Sequence, residues 1–156
     1  MTIQIKGMPT EEARDLQNGG LDANGQMPEI QISDGKGNPC RHCLEMIAEG
    51  EELLVFSYKP FSSIQPYAEQ GPVFLHKREC EAYKDNDAEP GAFNNKEVIM
   101  IRGYGDDERI VYGTGKIISK TDIKSYASSL FEDPTIRFIH LRSASNNCYQ
   151  ARIDNF

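Results

Sequence analysis

The sequence predicts an α+β domain built on a mainly antiparallel sheet. Three observations lead there: short segments rich in branched and aromatic residues outnumber helical patterns, several neighbouring segments are separated by turn-forming residues, and the regular strand-helix alternation of a doubly wound fold is missing. At 156 residues the chain is long enough to bury a core and is read as a single domain over 1–156.

The elements follow in order. "QNGGLDANGQMP" and "SDGKGNP" are Gly/Asn/Asp/Pro clusters that read as loops, with "EIQIS" between them as a short alternating strand. "LEMIAEGEE" suits one or two helical turns stopped by Gly50. "ELLVFSY" is apolar on both faces and is expected to be a central strand, and "GPVFLH" gives another. "YKDNDAEPGAFNN" is polar enough for an exposed loop. "EVIMIRGY" and "RIVYGTGKII" read as strands joined by a hairpin loop at Gly105, Asp106, Asp107 and Glu108. Inside the second strand, Gly113 to Gly115 suggests a bulge or a close backbone approach. Ile123, Tyr126, Ala127, Leu130 and Phe131 share one helical face, which predicts an amphipathic helix over about 121–132 with Thr121 as N-cap and Asp133-Pro134 as the stop. "IRFIHLR" and "CYQARI" flank the polar turn "SASNN" and close the chain as a hairpin.

Composition narrows the function. A formal charge of -7, with no Lys/Arg run longer than two residues, argues against binding a phosphate backbone, so nucleic acid is not expected as a partner. The N-terminus has no basic stretch leading into an apolar one, and no apolar run approaches the roughly 20 residues of a membrane span. A cytoplasmic protein without a membrane partner is expected. In that compartment the four cysteines are ligands, buried side chains or reactive thiols rather than a disulfide framework.

Cys40 and Cys43 have the spacing that lets two thiolates of one tight turn reach the same ion, and His76 and Cys80 supply the other half of a tetrahedral Cys3His set. His42 is the weaker imidazole candidate, since it would have to point differently from both flanking cysteines. Four protein ligands leave no open position, so a Zn2+ held this way is structural. The competing readings are inert buried cysteines and a redox pair at Cys40 and Cys43. The redox pair calls for a buried strand followed by a helix start at Cys40, and "SDGKGNP" is a poor buried strand.

The second concentration of chemistry is "HLRSASNNCYQAR". Strand alternation puts His140 and Arg142 on one face, and Cys148, Gln150 and Arg152 on one face of the returning strand. Arg142, Ser143, Ser145, Asn146, Asn147 and Gln150 could line a ligand site, with Cys148 as nucleophile and His140 as its base if the protein is an enzyme. The alternative is that Ser and Asn serve the tight turn and Cys148 simply packs.

The stretch from Cys40 to Cys80, with Ile47-Ala48-Glu49-Gly50 after the cysteine knuckle, is similar to treble-clef-like zinc fingers of the poly(ADP-ribose) polymerase type, apart from one extra residue between His76 and Cys80. The chain as a whole resembles a family of bacterial proteins catalogued as domain of unknown function 1203. "PCRHCL", "PYAEQGPVFLH", "RGYGDDERIVYGTG" and "RSASNNCYQARID" carry that resemblance. It divides the chain into a loop-rich N-terminal region, 1–38, and a family-like core, 39–156. The resemblance implies a small cytoplasmic bacterial protein and supplies no mechanism. The expected function is therefore a zinc-stabilised small-molecule or protein-binding module, with the Cys148 enzyme and the Cys40/Cys43 redox protein as alternatives.

Overall fold

The computed structural model describes residues 2–156. The chain is α+β, and the described residues gather into two compact units: 2–6, 61–69 and 96–156 form the first, and 7–60 and 70–95 the second.

The first unit is built on a five-stranded antiparallel sheet. β1 (Ile3–Lys6), β5 (Val98–Tyr104), β6 (Lys116–Ser119), β7 (Phe138–Arg142) and β8 (Tyr149–Asn155) are arranged in the order β1-β8-β7-β5-β6. Alternation sorts the two faces. Ile5, Ile153 and Ile139 are cross-strand neighbours on one face, as are Ala151, Leu141 and Ile101. All six are 4% exposed or less, and each fully buried Ile or Leu contributes about 1.5–3 kcal/mol. The opposite face carries the row Lys6, Arg152, His140 and Arg102 in register.

The hairpin loop forms where expected, with Gly105 donating to the Arg109 carbonyl at 2.9 Å. The strand after it does not. Tyr104 pairs with Ile110 in an isolated bridge, residues 111–115 loop out, and β6 resumes at Lys116 opposite Ile101. The Thr114 hydroxyl takes over the missing ladder position, accepting from the Gly103 N–H at 2.9 Å and donating to the Val111 carbonyl at 2.6 Å. The amphipathic helix also forms, shorter than expected: α2 (Ile123–Leu130) is preceded by a 3-10 turn, Lys120–Asp122, whose cap is Ser119 rather than Thr121. The Ser119 hydroxyl lies one residue before the turn, where it can accept from the Thr121 N–H. Ile123 and Ala127 are the buried residues of α2.

The second unit holds α1 (Thr10–Gln17) and a three-stranded antiparallel sheet of β2 (Glu29–Ile32), β3 (Glu52–Tyr58) and β4 (Gly71–His76), with β3 central as its apolar faces predict. Leu53, Leu54, Phe56, Val73 and Leu75 are buried. Both β1 and α1 arise in a region read as loop, and the loop at 83–95 contains a 3-10 turn, Gly91–Phe93, that buries Ala92 and Phe93.

The helical turns expected in "LEMIAEGEE" are absent. Leu44 adopts a left-handed conformation (φ 56°) and closes a turn with its N–H on the Cys40 carbonyl at 3.0 Å. The segment then returns antiparallel, with Cys40 donating to the Glu45 carbonyl, Ile47 to the Asn38 carbonyl, and Pro39 bridging Met46. Leu44 and Ile47 are each 1% exposed or less. Burying them through a hairpin wins over the weak helical preference of so short a stretch.

Candidate metal centre

The hairpin at Cys40 to Met46 presents Cys40 and Cys43, the end of β4 presents His76, and the loop after β4 presents Cys80. One ligand atom from each of these four residues lies within 4.8 Å of all the others. Two edges of the figure can be tested against a metal. The Cys40 and Cys80 sulfurs are 3.8 Å apart and Cys43 Sγ is 3.6 Å from His76 Nδ1. A tetrahedron with Zn–S of about 2.3 Å and Zn–N of about 2.0–2.1 Å has edges of roughly 3.8 Å and 3.6 Å. Those two edges match, and the four residues lie close enough together to hold a metal ion.

The surroundings orient these ligands. His76 is 3% exposed, and while its Nδ1 faces Cys43, its Nε2 lies 3.4 Å from a Glu51 carboxylate oxygen. Arg78 holds the other oxygen at 3.1 Å. A carboxylate behind a ligating imidazole fixes the tautomer and raises its basicity. His42 is fully buried and stands outside the ligand set: its Nδ1 is 3.1 Å from Cys80 Sγ and its Nε2 is 2.8 Å from the Thr10 hydroxyl. With Thr10 donating to Nε2, the Nδ1 proton is directed at the Cys80 sulfur. The backbone N–H of His76 adds a donor to Cys40 Sγ at 3.4 Å. From α1, Arg14 donates to the Cys80 carbonyl at 2.6 Å, and Gln17 donates to the carbonyls of His76 and Arg78. Helix and ligand loop are thereby tied together.

Hydrogen bonds from Cys43 and Cys80 hold the Cys40 thiol far below its ordinary range, and the same contact with Cys40 pushes Cys43 far above it. His76 is lifted to about 9 by its hydrogen bonds with Cys40 and Cys80. A cation entering the site replaces protons, because thiolates and neutral imidazole are the ligating forms.

The C-terminal candidates are arranged differently. Ser143 and the residues after it build the turn: its N–H donates to the Cys148 carbonyl at 2.9 Å, and its hydroxyl accepts from the N–H groups of Asn146 and Cys148. Asn147 supplies the left-handed residue (φ 58°), and Ser145 is in the same turn. Gln150 donates to the Cys148 carbonyl at 3.1 Å. Cys148 Sγ has its polar contact with the Asn146 carbonyl at 3.8 Å, and no hydrogen bond joins it to His140. His140 is instead enclosed by the rings of Phe61, Tyr104, Phe138 and Tyr149, at centroid distances of 4.8–5.1 Å. Burial, then the guanidinium groups of Arg142, Arg152 and Arg102, keep it neutral, well below the usual imidazole range.

Sequence reasoning grouped the four candidate ligands, which the fold brings together, and missed the residues around them. Glu51, Thr10, Arg14 and Gln17 have no local signature, and His42 was weighed only as a ligand. Among the described residues no helix is long and apolar enough to cross a membrane. Neither the curated proteins nor the solved structures provide a match. The family described as "Protein of unknown function (DUF1203)" matches residues 37–155, a span that takes in all four ligands and the C-terminal hairpin, and the chain belongs to that family.

Proposed function

We propose that this chain is a zinc-stabilised binding module in which Cys40, Cys43, His76 and Cys80 hold a structural Zn2+, and that its partner is a small molecule or a protein rather than nucleic acid or a membrane. The observation that carries the reading is the convergence of four ligand atoms within 4.8 Å of one another, two of the edges having tetrahedral length, with His76, Cys80 and Cys40 each backed by a further polar contact. The need for a metal is physical. The second unit has about eighty residues, three strands and one short helix, and domains of that size commonly rely on a metal or disulfides for stability. The ion would clamp the hairpin, the end of β4 and the following loop to one point and offset two of the three negative charges of the adjacent thiolates.

The redox alternative finds no helix start after Cys40, so the dipole that would activate that thiol is missing. The enzyme alternative finds no hydrogen bond between Cys148 and His140. Replacing the metal with Co2+ tests the proposal. The strong visible absorption of tetrahedral thiolate-ligated cobalt is expected in the wild type, with its loss in Cys43→Ser. A weak octahedral spectrum, or one unchanged by Cys43→Ser, contradicts the ligand set.

A further inference from the structure

We propose that the charged face of the five-stranded sheet is a binding site for a small oxyanion, the carboxylate or phosphate group of a small molecule, received by the unpaired edge of the Arg142 guanidinium. Arg142 is 4% exposed. Its Nη1 donates to the Asn147 carbonyl at 3.2 Å and lies 3.4 Å from a Glu69 carboxylate oxygen, while Nε and Nη2 are buried with no hydrogen-bond partner. Those two atoms form one side of the planar guanidinium, a two-donor fork that matches a pair of oxygens on a carboxylate or phosphate. Buried donors are seldom left unpaired, and a charged one is the costliest to leave so.

The charge balance of the face agrees. In a chain of net charge -7, Lys6, Arg102, Arg142 and Arg152 meet, among the described residues, only two carboxylates, Glu69 and Asp154, in the ion pairs of this face. Lys6 and Arg152 share Asp154 at 3.0 Å and 2.7 Å. Arg102 and Arg142 share Glu69 at 2.8 Å and 3.4 Å. One further anion would balance the second pair. His140, two residues from Arg142 on the same face, adds two buried ring nitrogens without partners.

Glu69 closes a strap, residues 61–69, whose other end is fixed by Ser62 and Ser63 donating to the Glu108 carboxylate at 2.8–3.0 Å. Phe61 of this strap packs edge-on against Tyr104 and at a tilt against His140. The Glu69 side chain is 35% exposed, so it is the counter-ion within reach of solvent, and it sits on Nη1 beside the fork that receives the oxyanion.

The site deepens the binding-module reading by naming a ligand class, and it is independent of the metal. The test is calorimetric titration of the full zinc-loaded chain with sodium phosphate and, separately, sodium acetate, against sodium chloride at matched ionic strength. A saturable response to phosphate or to acetate is expected, and which of them responds identifies the oxyanion. Arg142→Lys keeps the charge but loses the fork, and should weaken binding by roughly ten- to a hundredfold, the worth of one or two charge-assisted hydrogen bonds. Glu69→Gln removes the negative charge beside the fork and should tighten binding by about tenfold. No saturable response in either the wild type or Glu69→Gln overturns the proposal, as does undiminished binding in Arg142→Lys. If Arg142→Lys does not fold, Glu69→Gln decides alone: binding unchanged or weaker is the contrary result. Zinc content, measured on the same samples, separates failure of this site from failure of the metal centre.

Discussion

Glu51→Gln probes how the metal centre is supported without touching a ligand. The substitution keeps size and removes the charge behind His76 Nε2. Loss of such an outer carboxylate commonly weakens metal binding by about ten- to a hundredfold. Three features place this case near the lower end. The contact is 3.4 Å, the carboxylate is 35% exposed, and it is shared with Arg78 at 3.1 Å. The expected loss is therefore about tenfold in Zn2+ affinity, or about 1.4 kcal/mol, read by competition with a chromophoric chelator. Arg78→Ala is the control, because Arg78 is 60% exposed and draws on the same carboxylate. Removing it should leave affinity unchanged or slightly raised. An unchanged affinity in Glu51→Gln, or an equal loss in both variants, would refute the role assigned to the carboxylate.

Other outcomes follow from the same geometry. His140 is held neutral below the ordinary imidazole value of 6.5, so below that pH the unfolded chain takes up a proton that the folded one refuses. Its contribution to stability is therefore intact above pH 6.5 and lost as pH falls through the window down to the folded value, at up to about 1.4 kcal/mol per pH unit. Denaturant titrations should show this acid limb reduced in His140→Phe, and an identical pH profile would contradict it. In zinc-loaded protein an alkylating reagent should modify Cys148 first, since Cys40 and Cys80 are buried and Cys43 is a ligand, and chelation should expose the other three. Fast labelling of several thiols before chelation would count against the ligand set. Gly7→Ala would set a Cβ 2.5 Å from the His42 carbonyl oxygen and 2.8 Å from that of Arg41, and overpacking of this kind costs about 1–3 kcal/mol. Thermal unfolding at full stability would show that this backbone relaxes freely.

What the sequence made legible was what local pattern encodes. β3 announced itself by apolar faces on both sides, α2 by its periodicity, and the closing hairpin by strand-turn-strand composition. The clustering of Cys40, Cys43, His76 and Cys80 was legible because thiol and imidazole spacing is a chemical constraint that survives 32 intervening residues. α1 was hidden because only Ala13 and Leu16 of its eight residues are buried, too few to set a period. The fold of "LEMIAEGEE" was misread because the left-handed Leu44 leaves no trace in composition, and Glu is a good helix former. Nothing near Arg142 announces its burial. Glu69, which pairs with it, and Phe61, which covers its neighbour His140, come from a strap about seventy residues earlier in the chain.

The central claim is that the fold holds one Zn2+, and metal content tests it most directly. Protein purified without added metal, under reducing conditions, should contain about one zinc per chain, and chelation should cost it much of its folded structure by circular dichroism. Zinc near zero in a chain that is fully folded and unaffected by chelator would contradict the account.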